Sequence, residues 1–186
     1  EFRASGIQLD DAGQERLKDV NAELSRLGTE FGQRVKEGMK SAALLLDDAA
    51  DLGGLPADDV ASAAEAARTA GHEGKFLLTL IQPSNQPAMA ALANRDVRRR
   101  LYEASIGRGS DGGSFDVLDL VKDMVRLRAE KASLLGFANF AELSVDRQTA
   151  PDFQAVQAMM SRLAPAAVRN ADAEAEALAE AAGHPL

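Results

Sequence analysis

Apolar residues recur every three or four positions from Leu17 through Val20, Leu24, Leu27, Phe31 and Val35, with polar and charged residues between them. That period is the signature of an amphipathic helix. Asp11, with Gln14 three positions later, reads as an N-cap and its capping-box partner, so the helix is expected from near residue 11 to about Gly38. The stripe is short for a coiled-coil seam and suits a helix laid on a domain core. Each of its side chains is worth about 1.5–3 kcal/mol when buried, which would make this helix a main source of stability.

The pattern then changes. Ala43-Leu44-Leu45-Leu46, closed by Asp47-Asp48, suits a short buried strand, and Phe76-Leu77-Leu78-Thr79-Leu80-Ile81 suits a second, ended by Pro83 and Pro87. Strands at about 43–47 and 76–81 are expected to pair as a small β element in an otherwise helical chain. Between them, Gly53-Gly54-Leu55-Pro56 forms a turn, and Pro56 opens an Ala-rich helix that ends near Gly71.

Beyond the second strand, a helix from about Pro87 to Ala93 precedes one capped by Asn94 that carries Val97, Leu101, Tyr102 and Ser105. Gly107 to Gly113 reads as a flexible connection. Val117, Leu118, Val121, Met124, Val125, Leu127 and Leu135 mark a helix stopped by Gly136, with Lys131 near its C-terminal end, where the macrodipole favours a cation. A short helix around Phe140–Leu143 follows. Pro151 opens a long last helix with Phe153, Val156, Met159, Met160 and Leu163 on one side, a kink expected at Pro165, and an Ala/Glu-rich continuation to about Ala182. Leu178 is the one large apolar residue from Ala171 to Ala182, so that stretch is either solvated or packed on something outside this sequence. The expected fold is mostly α, a single helical unit over residues 1–186 with no firm internal boundary.

Composition narrows the function classes. Of the 186 residues, 46% are hydrophobic and 27% charged, enough to build a core. Without Cys there are no disulfides, thiol nucleophiles or thiolate zinc clusters, and the cytoplasm is the expected compartment. A net charge of −8 argues against nucleic acid or an anionic membrane as partner, and no apolar run is long enough to span a bilayer. The chain starts at Glu1 with no signal peptide and ends just after a helical run at Gly183-His184-Pro185-Leu186, as expected of a piece of something longer.

Catalytic motifs are incomplete. His72-Glu73-Gly74-Lys75-Phe76 holds the first half of an H-E-x-x-H zinc site but puts Phe76 where the second His belongs, and His184 lies near the other end of the chain. His72 therefore reads as an exposed loop residue. No Ser sits in a G-x-S-x-G elbow. Gly107-Arg108-Gly109-Ser110-Asp111-Gly112-Gly113 lacks the Gly-Lys-Ser/Thr ending of a phosphate loop. Asp47, Asp48 and Asp51, and Asp58 with Asp59, lack calcium-loop spacing and suit turns and helix starts. Arg95, Arg98, Arg99, Arg100 and Arg108 form the basic concentration, which suits either a solvated face paired with Asp96 and Glu103 or an acidic partner. Met124, Met159 and Met160 read as gap fillers in a helical core. By these residues the chain has no catalytic or metal-ligating site of its own.

Several segments together resemble the N-terminal half of the thimet-oligopeptidase family of zinc metallopeptidases. They are Leu77-Leu78-Thr79-Leu80 followed by Gln82-Pro83-Ser84-Asn85-Gln86-Pro87-Ala88-Met89, then Asn94-Arg95-Asp96-Val97-Arg98-Arg99-Arg100-Leu101-Tyr102-Glu103-Ala104, and the run from Leu127 to Leu135-Gly136-Phe137-Ala138-Asn139-Phe140. Leu44–Asp48 with Leu52-Gly53-Gly54-Leu55-Pro56 resembles the segment that precedes them. Val20-Asn21-Ala22-Glu23-Leu24 and Gln86-Pro87 lean toward the bacterial peptidyl-dipeptidase branch, with the oligopeptidase branch next.

The resemblance implies a mostly helical, two-lobed peptidase whose deep channel admits short, unstructured peptides. Its zinc would be held by an H-E-x-x-H helix and a further Glu in a later part of the chain. This sequence would then be a noncatalytic piece of the channel wall, partnered by the C-terminal catalytic half and by short peptides, with no zinc of its own. The alternative is a stand-alone interaction or dimerisation module that uses the Leu17–Val35 stripe and the terminal helix.

Overall fold

The period that begins at Leu17 becomes a 31-residue helix, α1, Asp11–Ser41, in the computed structural model, which describes residues 5–81 and 85–184. Its cap is one residue earlier than the sequence suggests. Asp10 Oδ1 accepts the Gly13 N–H at 2.8 Å, and Gln14 Nε2 donates to the Leu9 carbonyl at 3.0 Å. A capping side chain must stand outside the first helical turn, and Asp11 already lies within it.

The chain then runs through β1, Leu44–Leu46, a 3₁₀ turn at Ala49–Leu52, α2, Ala57–Thr69, β2, Phe76–Leu78, and α3, Asn85–Ala91. It continues through α4, Arg95–Ile106, α5, Leu118–Leu134, α6, Phe140–Val145, and α7, Phe153–Ala182. The expected class, mostly helical with a small two-stranded element, is what forms. The strands pair antiparallel in the register Leu44↔Leu78, Leu45↔Leu77 and Leu46↔Phe76. Both are shorter than the apolar runs suggested. Pro83 lies outside the described residues.

By the contacts along the chain there are two compact units, residues 23–125 and residues 1–22 with 126–186. In the first, Leu44, Leu46 and Leu78 of the sheet and Leu80 just after it point inward to meet Leu52, Ala63, Ala88, Leu92, Val97 and Leu101. Asn94 caps α4 as its sequence position suggested, its side-chain oxygen accepting the N–H groups of Asp96 and Val97. Arg98 and Arg108 are tied to carbonyl oxygens, Arg98 to Leu92 and Ala93 and Arg108 to Ser105 and Leu80. In the second unit Leu17, Ala132, Leu135 and Leu143 form a smaller core against Leu9, Phe137 and Phe140. Gly136, at φ +76°, ends α5 as only a residue without Cβ does easily, and Phe137 N–H reaches back to Ala132 O at 2.9 Å.

The last helix is capped by Asp152, which accepts the Ala155 N–H at 2.7 Å; Pro151 lies just outside it. It is helical on both sides of Pro165. None of its residues is buried, and Met159, Met160, Leu163, Val168 and Leu178 are all about half exposed. Met159 and Met160, expected as core filler, are therefore surface groups, whereas Met124 on α5 is half-buried.

The glycine-rich connection is held at both ends. Asp116 Oδ1 accepts the Leu118 N–H at 2.8 Å and Oδ2 accepts the Gly112 N–H at 2.9 Å, while Val117 N–H donates to Gly109 O. Those two N–H groups, Leu118 first, favour the charged carboxylate and hold the Asp116 carboxyl below its ordinary range. A depressed carboxyl stabilises the fold fully above the unfolded value of about 3.9, and that contribution is lost as pH falls through the lower folded value. Asp116→Asn is therefore expected to flatten the acid limb of stability. In urea melts, the midpoint should fall less between about pH 5 and about pH 2 than in the unsubstituted chain. Parallel acid limbs would show that Asp116 has no such role.

Candidate functional site

Small side chains on one side of α2, which packs along β2, leave a groove beside it. Proline at position 56 sets the start of α2, and Asp58 and Asp59 in its first turn suit the positive end of its dipole. One turn apart along the helix, Asp59, Ser62, Ala63 and Ala66 then face Leu77, Leu78 and Thr79, with Leu55 before α2 and Pro87 and Ala88 of α3 completing the lining. The enclosed volume is about 230 Å³. Past Ser62 and Ala66 it opens into a shallow apolar shelf over Ala61, Glu65 and Thr69.

Burial alternates along this stretch as a pleated strand requires. Leu78 and Leu80 are buried in the core, whereas Leu77 and Thr79 are half-buried on the opposite side. Glu65 is engaged with Arg68 at 2.6 Å, a pairing that holds its carboxyl below the usual range. Asp59 makes no ion pair among the described residues.

The residues singled out by sequence lie elsewhere and do not converge. His72 is exposed in the turn between α2 and β2, where its N–H bonds Ala67 O at 2.9 Å and its carbonyl accepts Lys75 N–H. Phe76 packs against the core from β2. Asp47 pairs with Lys75 at 2.6 Å, which lowers its carboxyl pKa; Asp48 caps the 3₁₀ turn; and Asp51 accepts from Asn94 Nδ2 at 2.9 Å. Each of these aspartates is thus used by local structure. Arg99 pairs with Asp96 at 3.2 Å, and Arg98 is turned to carbonyls, so these two members of the basic run on α4 are used within the chain. Gly112 and Gly113 spend their N–H groups on Asp116 and Asp111, which leaves no phosphate cradle.

No group of three or more His, Asp or Glu side chains is gathered for a metal among the described residues. The described residues therefore offer no set of three protein ligands around an open position of the kind a catalytic zinc needs. Among the same residues no helix is long and apolar enough to cross a membrane. The groove residues were not signalled as a site by the sequence, because alanine, serine and leucine carry no motif. The available signal was geometric: small side chains spaced three and four apart on α2, and an alternating strand nearby.

Comparison with known proteins places this architecture. The model of peptidase family M3 matches residues 88–185, just over half of the chain. The dipeptidyl carboxypeptidase of Escherichia coli strain K12 is 34% identical over 173 residues, covering 93% of this chain and 25% of that protein. The dipeptidyl carboxypeptidase of Salmonella typhimurium is 36% identical over 166 residues, with 89% and 24% covered. Oligopeptidase A of Haemophilus influenzae is 31% identical over 182 residues, with 96% and 27% covered. The chain spans about a quarter of the length of these relatives. Both branches suggested by the sequence segments are represented among them. With its helical architecture and the ordered match along nearly its whole length, the chain belongs to peptidase family M3, a metallopeptidase family.

Proposed function

We propose that this chain is the noncatalytic helical portion of a cytoplasmic zinc metallopeptidase that hydrolyses short peptides, releasing C-terminal dipeptides, and that it forms part of the substrate-channel wall. The observation that carries this reading is the combination of coverage and chemistry. Nearly all of the chain aligns with a quarter of each peptidase, while its own His72 region lacks the second histidine. The zinc ligands and the glutamate that activates water then belong to the partner half of the same polypeptide. In this reading the exposed apolar side of α7 is covered by that half.

The protein is expected to hold no stoichiometric zinc by atomic absorption and to leave short peptides uncut. Extending the source reading frame beyond the codon for Leu186 is expected to reveal an H-E-x-x-H and to yield a chelator-sensitive peptidase. One equivalent of tightly held zinc in the 186-residue chain would overturn the proposal. The half-exposed Met160, Leu163 and Leu178 of α7 also favour a second reading, a stand-alone helical interaction or dimerisation module. A stop codon soon after Leu186 would decide for it.

A further inference from the structure

We propose that the outward face of α4 binds an extended acidic peptide. Two carboxylates on alternate peptide residues meet Arg95 and Arg99, and an aliphatic side chain two residues further on rests between Tyr102 and Ile106. The proposal rests on the short-peptide reading above and names the class of peptide that this part of the wall holds.

Helical spacing puts the four side chains together. They stand at i, i+4, i+7 and i+11 of one helix, which makes a single stripe opposite the buried Val97 and Leu101. All four are exposed, Tyr102 by 54% and Ile106 by 61%. Lone apolar residues at a surface need no explanation, but here two of them continue a row of cations.

Those cations are poorly answered within the chain. Arg95 makes no ion pair among the described residues. It is also the first residue of α4, at the positive end of the helix dipole, where a cation is disfavoured and an incoming carboxylate favoured. Arg99 meets Asp96 at 3.2 Å with both side chains largely in water, a weak pairing that a ligand carboxylate can replace. Asp96 and Glu103 stand about a quarter turn to one side of the stripe and Arg98 to the other, so the approach over Arg98 is the cationic one.

The helix rise fixes the form of the ligand. Along the axis Arg99 is about 6 Å from Arg95, Tyr102 about 10.5 Å and Ile106 about 16.5 Å. In an extended chain, residues two apart lie about 6.6 Å from each other on the same side, and residues four apart about 13 Å. Glu-x-Glu-x-Leu therefore sets a carboxylate at each arginine and its leucine between Tyr102 and Ile106. A nucleic acid repeats its charge at every step, offers nothing to the apolar end, and meets the repulsion of a chain at −8.

Tyr102 is the chain's one tyrosine and there is no tryptophan, so its emission reads the site directly. Acetyl-Glu-Ala-Glu-Ala-Leu-amide titrated into the 186-residue chain is expected to change that emission saturably, and acetyl-Gln-Ala-Gln-Ala-Leu-amide to bind at least about tenfold more weakly. Raising the ionic strength from about 0.02 to about 0.3 M should weaken the acidic peptide several-fold. Arg95→Gln and Arg99→Gln should each weaken it at least about threefold, whereas Arg162→Gln on α7 should not. Ile106→Ser should weaken the leucine peptide and leave acetyl-Glu-Ala-Glu-Ala-Ala-amide unchanged, with circular dichroism reporting that each variant is folded. Equal binding of the glutamate and glutamine peptides, or no change up to about 5 mM peptide, overturns the proposal. Equal displacement by an RNA hexanucleotide also overturns it and assigns the face to polyanions. None of these results touches the peptidase reading, which stands or falls on the reading frame, and a stop codon after Leu186 leaves the titrations interpretable.

Discussion

Gly54→Ala is expected to lower the unfolding free energy by about 3 kcal/mol or more, read as a drop in the urea midpoint at unchanged slope. Two costs add. Gly54 sits at φ +94°, a backbone conformation that L side chains rarely adopt, at a penalty of about 1–2 kcal/mol. A Cβ there would also lie 2.1 Å from Ala91 O and 3.0 Å from Ala93 N, both main-chain atoms with no flexible end to swing away. The turn is meanwhile held in place, since Ala93 N–H donates to Gly53 O at 2.7 Å. Relief of the clash must push the α3–α4 junction outward and break that bond. Gly71 supplies the control. Its φ is +86° with no atom within 4 Å of a would-be Cβ, so Gly71→Ala should show the backbone penalty alone. Equal midpoints for the two variants would mean that the close approach at Gly54 contributes nothing.

Leu101→Ala should cost about 2–5 kcal/mol, the range for a large-to-small change in a packed core. Leu101 is 0% exposed on α4, in the cluster with Val97, Leu92, Leu52 and Leu80. Apart from Val97 on α4 itself, those neighbours come from the residue after α3, the 3₁₀ turn and the segment after β2, so no single element can shift to fill the void, and the cost should fall toward the upper end. Leu178→Ala, at a site 59% exposed on α7, should change stability by less than about 0.5 kcal/mol. Against a typical domain stability of about 5–15 kcal/mol, a loss of the Leu101 size is easily measured. Similar midpoints for the two leucine variants would contradict the core assignment of α4.

Elements whose evidence is local were legible before the structure. The stripe from Leu17, the Asn94 cap, the Gly136 stop and the two leucine-rich strands each rest on interactions within a few residues or on a simple burial period, so their positions hold to within a few residues. The cap of α1 differs by one residue from the sequence expectation because Asp10 and Asp11 are chemically alike, and only the backbone geometry separates them. Met159 and Met160 depart from the expected core role for a different reason. An apolar stripe says that a face seeks a partner, and it does not say whether that partner is within the same 186 residues.

The candidate groove was illegible for a related reason. Its lining brings residue 55 beside 66, 77 and 88, positions without a shared motif whose side chains are mostly small and apolar. Family membership, by contrast, was carried by ordered runs such as Asn94–Ala104 and Leu127–Phe140, and the comparisons support it. By itself, then, the sequence determined the helical class, the strand pair and the family, because periodicity, capping and ordered segments are properties of neighbours in the chain. The tertiary structure decided that Arg98 and Arg99 of α4 serve carbonyls and a neighbouring carboxylate, that α7 keeps its apolar side exposed, and that small residues of α2 leave a groove along β2. Those outcomes depend on which distant surfaces meet, and a one-dimensional pattern holds no distances between them.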